Sequence, residues 1–431
     1  MDKFIIEGRN PLKGEVVPSG NKNAALPLIA ACLLTEEPVV LHNVPNIRDV
    51  QTMRKLLESL GVEFTKLEAN SWKIRAKEIN AARLDPAILK QIRASILLAG
   101  PLTARTGDLS LSPPGGDVIG RRRVDTHILA LQALGARAAY DIEKKVFNFR
   151  APKGLRGANI LLDEASVTGT ENAIMAAVLA EGETILRNAA SEPHVQDLCH
   201  FLNILGAKIE NIGSNTLHIK GVTSLTGGEF TVGPDYLEVV SYIGAAVVTG
   251  GEIRIRNAGI EHLDMIKLVF NRLGYDWVEE GQDILVPELQ SRQIEPDLGN
   301  AIPEISVMPW PAFPTDLMSI AIVAATQSHG SVLFHDWMYP SRMFFTDKLV
   351  SMGAQIVLCD PHRAIIQGPT TLIGENLESP DIRAGMSLVL AALAAKGTSV
   401  IRNVNQIDRG YEKVEEKLAS LGAKIARVAG E

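Results

Sequence analysis

The apolar positions of this chain fall into a unit that repeats. Helix-spaced runs such as Met53-Arg54-Lys55-Leu56-Leu57-Glu58-Ser59-Leu60 and Val414-Glu415-Glu416-Lys417-Leu418-Ala419-Ser420-Leu421 each end on a Leu-Gly step, at Gly61 and Gly422. The same Leu/Met-Gly closure recurs at Gly135, Gly206, Gly274 and Gly353, at intervals of 68 to 79 residues. Such a glycine predicts a helix C-cap in the left-handed conformation, followed by a turn into a strand. Strand-like runs end in Asn43, Asn188, Asn257, Asp336 and Asn403, 17 to 19 residues before five of these glycines. Short polar side chains suit the turn from strand to helix. Six units of roughly 72 residues fill the chain, each with both strand and helix periods, which predicts an α/β fold made by repetition.

One repeat breaks its own template. Asp117 occupies the position that other repeats give to Asn or Asp, but the approach runs Leu111-Ser112-Pro113-Pro114-Gly115-Gly116-Asp117-Val118-Ile119-Gly120-Arg121-Arg122-Arg123. Ten steps separate Gly107 from Asp117, whereas Gly182 to Asn188 and Gly251 to Asn257 take six each. The loop is longer by Pro-Pro-Gly-Gly, either a neutral insertion or a segment that has acquired a task. Pro and Gly together let a loop hold a shape and still swing as a lid. The arginines are a solvated basic turn or a phosphate and carboxylate site, since guanidinium binds both bidentately. Beside them Asp117 is expected to be ionised, a base or ion-pair partner; only a bound anion would keep its proton available for donation.

Composition narrows the class. Of 431 residues, 46% are hydrophobic and 22% charged, which excludes a mostly disordered chain. The length predicts two or three domains. A net charge of -7 argues against a coat for nucleic acid or anionic membrane. Cys32, Cys199 and Cys359 lie far apart and form no CxxC pair, and the nine histidines are scattered, so neither a metal site nor an organic cofactor is expected. The start, Met1-Asp2-Lys3-Phe4-Ile5-Ile6-Glu7, has no apolar signal core, and the longest apolar runs, such as Ala24 to Leu34, are too short to span a bilayer. The expected compartment is the cytoplasm.

Further candidates sit near helix starts. Pro18-Ser19-Gly20-Asn21-Lys22-Asn23-Ala24 leads into an apolar helix with Lys22 and Asn23 in its first turn. It is an anion site at free N–H groups, or a helix start with a surface lysine that opposes the macrodipole. Arg93 heads the apolar stretch Ala94 to Gly100. Thr315 and Asp316 follow Pro314 at an expected N-cap, where capping is the simpler reading. Asp381-Ile382-Arg383 and Ile407-Asp408-Arg409 open two more helices. Singly each is a cap or surface pair; jointly the arginines suggest one anionic cleft. His127 is expected to make a structural hydrogen bond.

The segments SGNKNAALPL at 19–28, IRASILLAGPL at 92–102, PPGGDVIGRRRVDTHI at 113–128, FPTDL at 313–317, DIRAG at 381–385 and IDRGYE at 407–412, in this order, resemble the enolpyruvyl transferases over essentially the whole chain. The resemblance implies an inside-out α/β barrel of two domains, each of three βαβαββ-like units: residues 21–233, and residues 1–20 plus 234–431. It implies transfer of the enolpyruvyl group of phosphoenolpyruvate to the 3′-hydroxyl of UDP-N-acetylglucosamine. By the same resemblance Lys22, Arg122 and Arg409, helped by Asn23, hold phosphoenolpyruvate. Arg93 and the segment Arg122, Arg123, Val124, Asp125 and Thr126 contact the UDP-sugar. Asp316 serves the sugar hydroxyl as base or orienting group, Met338 touches the nucleotide, and Arg383 stands behind them. Most members carry Cys where this chain has Asp117; Asp keeps the acid role but lacks the soft nucleophile that fosfomycin modifies. Arg123 replaces a usual Pro, Met318 a common Gln, and Trp337 to Arg342 depart from the usual loop, which leaves another sugar nucleotide open as acceptor. Shikimate 3-phosphate is a weaker rival, because its branch's glycine-rich and arginine motifs are missing. A binding protein that keeps the UDP-sugar site without catalysis is the rival of another class. Oligomeric state is not legible.

Overall fold

The computed structural model describes residues 2–116, 119–120 and 122–430. They form two compact units, one of residues 20–116 and 122–233, the other of residues 2–19, 119–120 and 234–430. Each has its own hydrophobic core, drawn from residues 24–232 in the first and from 4–16 and 236–423 in the second.

The six repeats share one plan. Each has an inner helix, in chain order Lys22–Ala31, Ala99–Thr106, Val167–Ala177, Tyr236–Thr249, Met318–Ala325 and Ile382–Ala394. All eight residues of Met318–Ala325 and all thirteen of Ile382–Ala394 are buried. A helix apolar on every side has no solvent face, so in the second unit the three pack on one another, while in the first Ala99–Thr106 packs on Val167–Ala177 and Lys22–Ala31 meets both through the 3₁₀ segment Arg93–Leu98. Outer helices are amphipathic instead. Arg48–Leu60 buries Val50, Met53, Leu56, Leu57 and Leu60 on one face and stops at Gly61. The six closing glycines have φ between 85° and 103°, the left-handed C-cap that the sequence pattern predicts.

Sheets cover the helices. Among the described residues there are five of four strands and one of three. In the third repeat Asn159–Leu161 runs parallel to Glu183–Arg187 through the crossover helix Val167–Ala177, and the hairpin strands Thr216–Lys220 and Lys208–Glu210 follow antiparallel. Three repeats borrow strands from far along the chain. Gly228–Thr231 lies parallel to Val39–His42 in the first unit. In the second, Lys13–Val16 lies parallel to Glu252–Ile255, and Lys3–Glu7 sits between Thr398–Arg402 and Lys424–Val428.

The polar residues at strand ends behave less uniformly than their spacing suggests. Asn43, Asn188, Asn257 and Asn403 are left-handed, with φ from 48° to 58°, a conformation Asn tolerates better than other side-chain-bearing residues. Asp336 is not left-handed, and it is fully buried.

Candidate functional site

Each unit carries a buried ion-pair cluster among the described residues. In the first, Asn21 caps the helix Lys22–Ala31, its Oδ1 accepting from the N–H groups of Asn23 (2.8 Å) and Ala24 (3.1 Å). Lys22 is thereby held as the first helical residue. Its side chain is 8% exposed, and Nζ lies 2.8 Å from Oδ2 of Asp49, itself 7% exposed. This excludes the surface-lysine reading: a charge so buried needs a counter-ion. Asp49 had no place in the sequence-based site, because an acid in the first turn of Arg48–Leu60 reads as a macrodipole partner.

Arg93 heads a short 3₁₀ segment, Arg93–Leu98, and Nη2 donates to the carbonyls of Arg122 (3.0 Å) and Arg123 (2.8 Å). It thus shapes the arginine segment from behind. The Arg123 guanidinium is held by Asp125 (3.0 Å) and Asp163 (2.6 Å), and Thr126 donates to the other Asp163 oxygen at 2.7 Å. Expected as a contact to the UDP-sugar, Arg123 is occupied by carboxylates, and Arg122 is the half-buried guanidinium of the pair. Asp163, 40 residues from Arg123, escaped sequence reasoning because nothing local marks it.

The inserted glycines have steric reasons. A Cβ on Gly115 would lie 1.7 Å from the Lys90 carbonyl oxygen, and one on Gly116, where φ is 110°, would lie 2.8 Å from Cβ of Arg93. The loop is fitted against the Arg93 segment. Asp117 lies outside the described residues.

His127 is buried behind this segment. The Asn172 Nδ2 donates to Nδ1 at 2.8 Å and to the Ile96 carbonyl at 2.8 Å, while Asn172 Oδ1 accepts from Gly100 N at 2.6 Å. That fixes the amide, so the ring proton sits on Nε2 and is donated to Thr168 Oγ1 at 3.2 Å. Burial, aided by the charge of Arg93, lowers the imidazole pKa to about 3.

The second cluster centres on Asp316. It does not cap: Thr315–Leu317 is a 3₁₀ turn with Pro314 at its start and no side-chain cap. Instead Oδ1 accepts from Arg342 Nη2 at 2.9 Å and Oδ2 from Arg383 Nε at 3.2 Å. Both arginines are buried, at 4% and 7% exposure, while Asp316 keeps 30%. Burial works to lower the arginine pKa values, but the charge of Asp316 and its neighbours outweighs it and raises both. Arg383 also reaches Tyr411 OH at 3.5 Å, in a helix capped by Asp381. Arg342 lay within a segment marked only as unusual, and its meeting with Asp316 is purely tertiary. Met338 is half-buried on the same stretch, its N–H donated to Asp336. Arg409 ends the 3₁₀ segment Val404–Arg409, rather than opening a helix, and donates to Gln406 at 3.0 Å.

A buried lysine paired with Asp49, and two buried arginines sharing Asp316, on a sixfold-repeated α/β scaffold mark a protein of the anion-handling class. The profile of the family described as EPSP synthase (3-phosphoshikimate 1-carboxyvinyltransferase) matches residues 6–418, and the chain belongs to that family of enolpyruvyl transferases. Curated relatives are similar along the whole length. The UDP-N-acetylglucosamine 1-carboxyvinyltransferase of Bradyrhizobium diazoefficiens is 57% identical over 426 residues, 99% of this chain and 98% of that protein. Those of Treponema denticola and Bacteroides fragilis are 54% and 47% identical, covering 99% of this chain and 99% and 100% of their own. The solved enolpyruvyl transferase NikO from Streptomyces tendae has a TM-score of 0.88 at 23% identity, over 100% of this chain and 99% of that one. EPSP synthase from Acinetobacter baumannii has 0.74 at 19%, over 100% of both. At such identities these two structures speak for the fold. Among the described residues no helix is long and apolar enough to cross a membrane, and no group of His, Cys, Asp and Glu is placed to hold a metal.

Proposed function

We propose that this chain transfers the enolpyruvyl group of phosphoenolpyruvate to the 3′-hydroxyl of UDP-N-acetylglucosamine, releasing phosphate, as the committed step toward peptidoglycan precursors. The observation that carries the reading is 57% identity, over nearly all of both chains, to a relative of that name.

The resemblance to the family supports the following roles for the residues. Lys22, Asn23, Arg122 and Arg409 hold the phosphate and carboxylate of phosphoenolpyruvate. Arg93 acts through the backbone of 122–123, and Val124, Asp125 and Thr126 line the acceptor side, with Arg123 bracing them. Met338 meets the nucleotide. Addition joins the sugar oxygen to C2 of phosphoenolpyruvate while a proton reaches its methylene carbon; elimination then breaks the C2–phosphate oxygen bond and removes one methyl proton. Asp117 delivers the proton to carbon, and Asp316, steadied by Arg342 and Arg383, accepts that of the hydroxyl. Positive charge at C2 in the addition favours fixed carboxylates and a clamped phosphate over mobile water.

Purified protein should release phosphate from phosphoenolpyruvate only when UDP-N-acetylglucosamine is present. Release with shikimate 3-phosphate or another sugar nucleotide alone would reassign the acceptor, and binding without release would leave a binding protein. Asp117→Asn should lower kcat by about 100-fold or more, the scale of a lost general acid. Intact mass after incubation with fosfomycin should be unchanged in the wild type, and Asp117→Cys should gain one adduct, because only a thiolate is nucleophilic enough. A stoichiometric adduct on the wild type rejects the role given to Asp117.

A further inference from the structure

Asp336 has taken on a task that Asn43, Asn188 and Asn403, at the same place in three other repeats, do not perform. At three strand ends an Asn amide donates to the carbonyl at the end of the parallel neighbour: Asn43 to Val232 (2.9 Å), Asn188 to Leu162 (3.0 Å) and Asn403 to Ser379 (3.0 Å). In the fifth repeat the corresponding carbonyl is that of Val307. Its N–H bonds His335 O at 3.1 Å, as the N–H groups of Val232, Leu162 and Ser379 bond the last residues of their neighbouring strands, all at 3.0 Å. A carboxylate has no N–H to offer this carbonyl. The indole of Trp337 supplies it instead, Nε1 donating to Val307 O at 2.8 Å.

Relieved of that bond, the buried Asp336 carboxylate gathers three other donors. Thr315 Oγ1 donates to Oδ2 at 2.5 Å, and the N–H groups of Met338 and Tyr339 donate to Oδ1 at 3.0 and 3.2 Å. The backbone of Asp336 is pinned as well, its N–H to His362 O at 2.8 Å and its carbonyl to His362 Nδ1 at 2.6 Å. These contacts close a ring. From Asp336 it runs through Thr315 to the adjacent Asp316, across to Arg342, along the turn where Arg342 N bonds Tyr339 O at 3.1 Å, and back through Tyr339 N.

We propose that Asp336 is a positioning residue for the transfer: its carboxylate ties Thr315 to the 338–342 turn and so sets where Asp316 and Arg342 meet. The inference deepens the acceptor side of the proposed reaction and rests on the assignment of Asp316 to the sugar hydroxyl.

Kinetics with phosphoenolpyruvate and UDP-N-acetylglucosamine test it in a double-mutant cycle. Asp336→Asn should lower kcat on the order of 100-fold, the scale of a displacement of about 1 Å, with KM for phosphoenolpyruvate kept. In an Asp316→Asn background the same change should cost nothing further, since residues acting as one unit are not additive. An equal loss in both backgrounds, or a wild-type kcat, overturns the inference. If Asp336→Asn does not fold, the Thr315 pair decides: Thr315→Val should lose kcat while Thr315→Ser keeps it, and equal behaviour overturns the idea. A crystal structure of Asp336→Asn or Thr315→Val reads the ring without reference to activity. Separation of Asp316 from Arg342 supports it, and an unchanged pair counts against it whichever acceptor the wild type uses.

Discussion

Lys22 and His127 are both buried, and their neighbours treat them in opposite ways. Lys22 is paired with Asp49 at 2.8 Å, in a place where a purely structural helix would carry a neutral or acidic residue. His127 is kept neutral by burial and by donors and acceptors that suit one tautomer. Its pKa falls from 6.5 to about 3 on folding, so as pH drops the unfolded chain takes up the proton first. The stabilisation is therefore present above about 6.5 and is lost as pH falls toward 3, with a slope approaching about 1.4 kcal/mol per pH unit. His127→Gln should flatten the dependence of the urea midpoint on pH by up to one proton across that window. Parallel curves for variant and wild type would show that the ring is not the group responsible. At this scale the sequence displayed the chemical types of Lys22, Arg93, Asp316, Arg383 and Arg409, but not their partners. Asp49, Asp163 and Arg342 come from other elements, and no local pattern marks a residue whose role is set by what lies across from it.

Helix ends and strand ends were legible because their causes are local. A left-handed C-cap requires glycine wherever the chain turns sharply, and the six occurrences share that geometry. Their tolerance should still differ. A Cβ on Gly135 meets nothing within 4 Å, so Gly135→Ala should cost only the backbone strain, about 1–2 kcal/mol. A Cβ on Gly61 would lie 2.9 Å from the Glu78 carbonyl oxygen, so Gly61→Ala should cost more. Urea denaturation of the two variants checks the order, and equal midpoints would remove the steric contribution. Where the local rule allowed two answers, packing chose. Pro314-Thr315-Asp316 reads as a capping sequence, yet the two buried arginines attract the carboxylate of Asp316 away from the backbone. The doubled glycine of the long loop reads as a hinge, yet close approach to Lys90 and Arg93 also demands it.

The three inner helices of the C-terminal unit meet at Gly244. A Cβ there would come within 2.7 Å of Leu390 Cδ1 and 2.8 Å of Ile320 Cγ2, one from each of the other two helices. Gly244→Ala should overpack this junction and cost about 1–3 kcal/mol, despite the better helix propensity of alanine. Because the two units have separate cores, the loss should stay in one of them. Hydrogen exchange should rise in Tyr236–Thr249, Met318–Ala325 and Ile382–Ala394 and remain unchanged in Val167–Ala177. A uniform rise over both units would mean that they unfold as one.

Sixfold repetition, the α/β class, the helix caps and the residue types suited to anions were all determined by the sequence itself, because each depends on spacing along the chain or on the chemistry of single side chains. Which strand completes which sheet, which carboxylate answers each buried cation, and the exchange by which Trp337 frees Asp336 were decided only in three dimensions. Burial makes the difference: a charge or a polar hydrogen removed from water must find a partner, and the nearest one is fixed by packing between segments that can lie hundreds of residues apart.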